Sequence, residues 1–193
     1  MTLSIEHCLL APSGSVVLSS PLGNWWMEWC DRGVLATCAT TARENNHFVP
    51  DWLSDAWNAV WNGEDVHLTL CTPRPLSPFF SRVYGAIIRL LPEPGATATP
   101  QEIVQSCGLS GSVSSVVKAL RQNPWPLFLP CHRVVTPSSQ AQSGPLERIS
   151  AQLRSYEQSL RQMSSGIADK FTSAKAWVLQ SFFPSKESET PNE

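Results

Sequence analysis

Charge is scarce in this sequence. Only 16% of its 193 residues are Asp, Glu, Lys or Arg, and the formal net charge is −2. That excludes a highly charged disordered chain and a globally basic nucleic-acid binder. Long hydrophobic runs are lacking too: none approaches the roughly 18 apolar residues of a membrane-spanning helix. The opening MTLSIEHCLL has no basic cluster followed by a long apolar stretch, so the chain reads as soluble and unsecreted. The dense cysteine spacing of a disulfide scaffold is also missing. Cys8, Cys30, Cys38, Cys71, Cys107 and Cys131 are spread along the chain and read as free thiols in a reducing compartment, any one of which can be chemical rather than structural. What is present is a 42% hydrophobic share, enough at this length to bury a core in one large or two small domains.

The charge that exists is unevenly placed. Residues 1–79 carry a net −5, residues 80–165 carry +4, and the tail 166–193 carries −1. A basic second half is compatible with one face meeting phosphates, and equally with ordinary surface variation.

The first third reads as strands. Ser15–Ser19 is β-rich, Pro21–Asn24 is turn material, Trp25–Cys30 resumes an extended pattern, and Asp31-Arg32-Gly33 turns the chain into Val34–Cys38. This predicts a small antiparallel meander. Leu53, Ala56, Trp57, Val60 and Trp61 then fall on one helical face that Gly63 can end, with the tryptophans read as core. The proline-rich stretch Thr72–Pro78 is the best domain boundary. Beyond it the pattern turns helical. Phe79, Phe80, Val83, Ile87, Leu90 and Leu91 form a stripe stopped by Pro92 and Pro94. Thr99-Pro100-Gln101-Glu102 is a capping box opening a helix that breaks at Gly108, and Val113, Val116, Val117 and Leu120 carry a second helix. Two short helices joined by a glycine turn outline a helix-turn-helix. Ile149, Leu153, Tyr156, Leu160 and Met163 mark a last helix, and residues 184–193 read as a disordered tail.

Directly after the second helix comes NPWPLFLPCHRVV, residues 123–135. This segment resembles the active-site signature of the O6-alkylguanine-DNA alkyltransferases, which carry a Pro-Cys-His-Arg-Val core preceded by Asn-Pro; here Pro124 lies seven residues ahead of Cys131. Ser20-Pro21-Leu22-Gly23 is similar to the start of the family's N-terminal domain, and Phe80–Leu91 to the helix opening its catalytic domain. The resemblance covers roughly residues 15–160. It implies a mixed α/β fold: a small N-terminal α/β domain with an antiparallel, ribonuclease-H-like sheet over 1–77, then a mainly helical, winged helix-turn-helix catalytic domain over 78–183.

The chemistry of the segment agrees. A thiol reacts as its thiolate, so a nucleophilic cysteine needs a base or an electropositive pocket. His132 is adjacent in sequence, so a sharp loop or a water must bring the two side chains together. By resemblance, Glu157 orients His132, which acts through a water on Cys131. Helical geometry puts Glu157 about 40° outside the apolar stripe, where it can turn inward; the alternative is a solvated glutamate paired with Arg161. By resemblance again, Asn123 tethers the turn before the active-site loop, the carbonyls of Cys131 and Val134 read the guanine amino group, Leu120 walls the pocket, and the loop at Ser143-Gly144 covers the base. Arg133 reads as holding the loop rather than touching substrate, and Arg121 falls on the DNA-facing side.

The implied reaction is SN2 transfer of an alkyl group from guanine O6 to the Cys131 sulfur, once per molecule. The implied partner is double-stranded DNA carrying O6-alkylguanine, or O4-alkylthymine, bound by a monomer with no cofactor and no membrane. The compartment would be the nucleus in a eukaryote and the cytoplasm otherwise. Some members of the family hold zinc in the N-terminal domain. Cys8, Cys30 and His67 are loose candidates without a four-ligand spacing, so no metal is expected. Two positions depart from the family: Pro100 stands where it has a tyrosine, and Ser114 where an arginine fills the space left by the flipped base. Val117 and Lys118 replace favoured glycines, and Lys118 offers a phosphate contact one turn from Ser114. A competing reading is a lesion sensor like the alkyltransferase-like proteins, which bind alkylated DNA without reacting; Pro100 and Ser114 keep it open, and Cys131 argues against it. A generic winged-helix binder would not need LPCHRVV.

Overall fold

Alternating apolar and polar side chains build one layer, and helices with a single apolar stripe build the other. The computed structural model describes residues 2–45, 48–108, 112–136 and 147–164. Thr2–His7 forms β1, Gly14–Ser20 β2, Gly23–Cys30 β3 and Gly33–Thr40 β4. The last three make the expected meander, with Val16 opposite Met27 and Trp26 opposite Cys38.

Helix α1 (Asp51–Asn62) buries Leu53, Ala56, Trp57 and Trp61, and ends at Gly63 in the left-handed conformation, φ 72°. It carries the chain back so that β5 (His67–Thr72) runs parallel to its neighbours, since a parallel pair needs such a crossover. The strand order is β1-β5-β4-β3-β2, with β1 and β4 both parallel to β5. The sheet is therefore mixed, where a purely antiparallel one was expected. The two strands responsible are the six-residue segments β1 and β5.

The second half is helical. In α2 (Pro78–Leu90) Ser77 caps the start and Val83, Tyr84, Ala86 and Ile87 face inward. Helix α3 (Pro100–Cys107) has the full Thr99–Glu102 capping box, with Pro100 at its first turn and Gly108 (φ 58°) closing it. Helix α4 (Val113–Arg121) is capped by Ser112 and buries Val116 and Ala119. A single 3₁₀ turn, Cys131–Arg133, follows, and the last described helix, α5, spans 147–164. Sheet and helices share one core: Trp25, Trp29, Leu70, Ile87, Trp125, Phe128 and Leu153 belong to the same buried cluster. Most tryptophans are core, as expected, although Trp52 is 37% exposed. Among the described residues, no helix is long and apolar enough to cross a membrane. Ser143 and the tail 184–193 lie outside the described residues.

Candidate active site

Cys131 sits where α4, the 3₁₀ turn and α5 meet. Getting there takes an irregular path. Asn123 ends the turn after α4 and holds both sides of the following loop: its Oδ1 accepts from the Trp125 N–H at 2.9 Å and its Nδ2 donates to the Leu129 carbonyl at 3.3 Å. These are the tethers expected of it. The Cys131 N–H donates to the Leu129 carbonyl at 2.7 Å and the Val134 N–H to the Cys131 carbonyl at 3.1 Å, closing the turn that carries the thiol. On its other side, the segment before α3 pairs with the loop. Ala98 donates to the Arg133 carbonyl, and Val135 donates to that of Ala98.

The tight turn gives the adjacent cysteine and histidine different surroundings. Cys131 stays half-buried while His132 points inward, 6% exposed. There His132 Nε2 lies 2.8 Å from Glu157 Oε1. An ionised carboxylate only accepts, so Nε2 carries the proton and Nδ1 is left as the basic nitrogen. Glu157 turns inward from α5, as the resemblance required, and does not behave as a solvated partner of Arg161.

Arg133 completes the arrangement from behind. It is 2% exposed and its guanidinium grips Glu157 with Nε and Nη2 at 2.8–3.1 Å, while Nη1 donates to the Leu91 carbonyl at the end of α2 at 2.6 Å. A planar fork on a carboxylate is the geometry arginine provides best. Arg133 thus ties the loop from behind to α5 and to the end of α2.

Three contributors carry no sequence signal strong enough to find them. The Gly95 N–H donates to Glu157 Oε2 at 3.0 Å, Arg154 Nη1 donates to the His132 carbonyl at 2.7 Å, and the Tyr84 hydroxyl donates to the Ala119 carbonyl at 3.0 Å. Arg154 lies one turn before Glu157 and shares its face; a backbone N–H such as that of Gly95 leaves no mark in sequence.

The electrostatics follow from burial and these contacts. Burial alone would raise the Glu157 carboxyl, but His132 and then Arg133 outweigh it and hold it at about 2. Burial pushes His132 below its ordinary value against the pull of Glu157, so the imidazole is neutral and basic. Burial also pushes the Cys131 thiol up, opposed by the Asn123 hydrogen bond. The Cys131 thiol is therefore held protonated.

A groove of about 880 Å³ opens in front. Its wall includes Ser114, Lys118, Leu120 and Arg121 of α4, and its floor Asn123, Cys131, His132 and Val134. Of the expected residues, Pro100 is apart from it, buried in the first turn of α3. At the N-terminal end of α4, Ser114 Oγ lies 2.8 Å from Ser112 Oγ.

A second set of donors lies in the sheet. The sulfurs of Cys8, Cys30 and Cys71 are all buried and within 4.8 Å of one another. Three thiols suit zinc or another thiophilic cation, the kind of ion that the resemblance implies for some relatives. Cys71, on β5, takes the place that sequence reading gave to His67, which is not in the group.

Residues 78–161 match the family described as 6-O-methylguanine DNA methyltransferase, DNA binding domain. Among curated protein sequences, none matches this chain. Solved structures share the fold at low identity. The Mycobacterium tuberculosis OGT in complex with DNA is 23% identical, with 76% of this chain and 93% of that chain covered and a TM-score of 0.60. A structure of the M. tuberculosis O6-methylguanine methyltransferase is likewise 23% identical, covering 74% of this chain and 91% of that chain, with a TM-score of 0.60. The O6-methylguanine-DNA methyltransferase of Pyrococcus kodakaraensis strain KOD1 is 18% identical, covering 75% and 99%, with a TM-score of 0.53. Through residues 78–161 the chain is thus similar to the DNA-binding domain of the O6-methylguanine DNA methyltransferases, and it shares their fold.

Proposed function

We propose that this chain repairs DNA by moving an alkyl group from O6 of an alkylated guanine onto the sulfur of Cys131, once per molecule. The observation that carries this reading is the neutral, buried His132, backed by the ionised Glu157 and lining the same groove as the Cys131 thiol. His132 takes the thiol proton at Nδ1, through a water by resemblance to the family. Sulfur attacks the alkyl carbon, and the C–O6 electron pair returns to guanine. The proton then passes from His132 to the departing base, so charge balances and a stable thioether remains. No step needs a metal.

The target oxygen lies inside the base stack, so the nucleotide must be extruded at a cost of a few kcal/mol. We read α3 and α4 as the helix-turn-helix, within a winged domain over 78–183, and residues 1–77 as a ribonuclease-H-like domain beside it. With Ser114, Lys118 and Arg121 on the groove wall, α4 faces the duplex. The protein is expected to act as a monomer. Cys131 at the motif position and the intact His132–Glu157 pair favour a reacting protein over a lesion sensor.

Titrating the protein into a duplex that carries one O6-methylguanine tests this. Lesion removal should saturate at one per protein molecule. Binding of the duplex with the lesion left intact would overturn the reading in favour of the sensor.

A further inference from the structure

The chain's central sheet is not evenly paired. Strand β5 meets β4 only at Val34 opposite Leu70, so the rest of that edge of β4 is left without a strand neighbour. An unpaired edge exposes backbone donors and acceptors that must be satisfied elsewhere. Here the active-site loop meets one backbone donor and one backbone acceptor of β4. The Thr37 N–H donates to the Pro124 carbonyl at 2.9 Å, the Thr37 hydroxyl donates to the Pro126 carbonyl, and Trp125 Nε1 donates to the Val34 carbonyl at 3.0 Å. Thr37 is 4% exposed, so its hydroxyl has been taken out of water for this contact.

The next residue explains why so much is spent there. Leu127 has φ 91°, the one positive φ outside glycine among the described residues. For a leucine that conformation is strained, and it persists only where its surroundings over-determine it. Two bonds from Thr37 fix the chain just before Leu127. Just after it, Leu129 is held by the Trp125 carbonyl and by Asn123, and Leu129 in turn accepts from Cys131.

We propose that Thr37 is a positioning residue for the nucleophile: β4, through the Thr37 hydroxyl and N–H, holds the strained Leu127 turn so that Cys131 is presented to the groove. The proposal rests on the reading of Cys131 as the alkyl acceptor, but the fixing of the loop can be measured without it. Thr37→Val keeps the shape and removes the hydroxyl that the half-buried Pro126 carbonyl accepts from. Thr37→Ser keeps the donor.

The experiment follows two readouts in the full chain: hydrogen–deuterium exchange of the backbone amides of residues 125–135, and the rate of single-turnover transfer from O6-benzylguanine. In Thr37→Val, loop exchange should quicken by about tenfold and transfer should slow by about fivefold, the scale of one lost buried hydrogen bond. Thr37→Ser should stay within about twofold of the native protein in both. If Thr37→Val proves unfolded, Thr37→Ala, which also removes the hydroxyl, should show the same quickened exchange and slowed transfer.

Unchanged loop exchange in folded Thr37→Val overturns the proposal, as does quickened exchange with unchanged transfer. So does a Thr37→Ser variant as impaired as Thr37→Val, since bulk and not the hydroxyl would then matter. A native protein that takes no benzyl group overturns the reading of Cys131 and with it the effect of Thr37 on transfer, while the exchange data still report separately whether Thr37 fixes the loop.

Discussion

A carboxylate standing behind a general base fails if it takes the proton itself. Glu157 is protected from that by its neighbours: His132, the Arg133 fork and the Gly95 N–H all donate to it. Held at about 2, it stays ionised throughout the range in which thiol chemistry runs. In the proposed reaction its task would be to fix the imidazole tautomer and steady the imidazolium. Because His132 and Glu157 act as a unit, His132→Ala and Glu157→Gln should each slow transfer by roughly 10²-fold or more, and the double variant should cost little beyond the worse single change. Multiplying effects in single-turnover rates would contradict this. The same groups set an acid limit on stability. The folded Glu157 carboxyl lies below its ordinary 4.5, so its contribution is present above that value and lost as pH falls towards 2. That amounts to about 3 kcal/mol. His132 is also depressed when folded, so folding loses stability as pH drops below 6.5. Urea midpoints measured between pH 7 and pH 3 should therefore fall, and the fall should be shallower in Glu157→Gln than in the native protein.

Helix α4 carries the clearest departure from the family. Ser114 is too short to occupy the space of an extruded base, whereas an arginine can span it and stack, and base stacking contributes roughly 1–3 kcal/mol. Ser114→Arg should raise the rate on duplex substrate and leave the free-base rate nearly unchanged, while Lys118→Ala should weaken duplex binding and flatten its salt dependence. A duplex rate that stays level or drops in Ser114→Arg would show that another side chain fills the stack. In the sheet, Gly33 opens β4 against the Thr69 carbonyl of β5, and a Cβ there would collide with it. Gly33→Ala should cost roughly 1–3 kcal/mol and lower the melting temperature by several degrees; an unchanged melting curve would mean that β5 shifts freely. How well each element could be read from sequence follows from its signals. The helices announced themselves through caps and stops, Thr99 with Glu102, Gly63 and Gly108. Strands β2–β4 did so through turns. Strands β1 and β5 pair in parallel, with no hairpin turn joining either to its neighbour, and they are what makes the sheet mixed.

At the scale of the molecule, sheet and helices are joined through one core, and the catalytic loop leans on both. The chemistry was legible in sequence because it is written in a short contiguous string: Asn123, Cys131, His132 and Arg133 all lie within eleven positions. Glu157 was reachable only by resemblance, since helical periodicity left it at the border between core and solvent. The supports were not legible at all. Thr37 and Gly95 act through contacts to or from backbone groups, across 89 and 62 residues of sequence from Pro126 and Glu157, where no local pattern can point. The central claim remains that Cys131 is the alkyl acceptor, and intact mass tests it most directly. After incubation with O6-benzylguanine, the native protein should gain one benzyl group and no more, located on Cys131, and Cys131→Ser should gain none. A folded native protein without an adduct, or an adduct located on Cys38 or Cys107, would contradict the account.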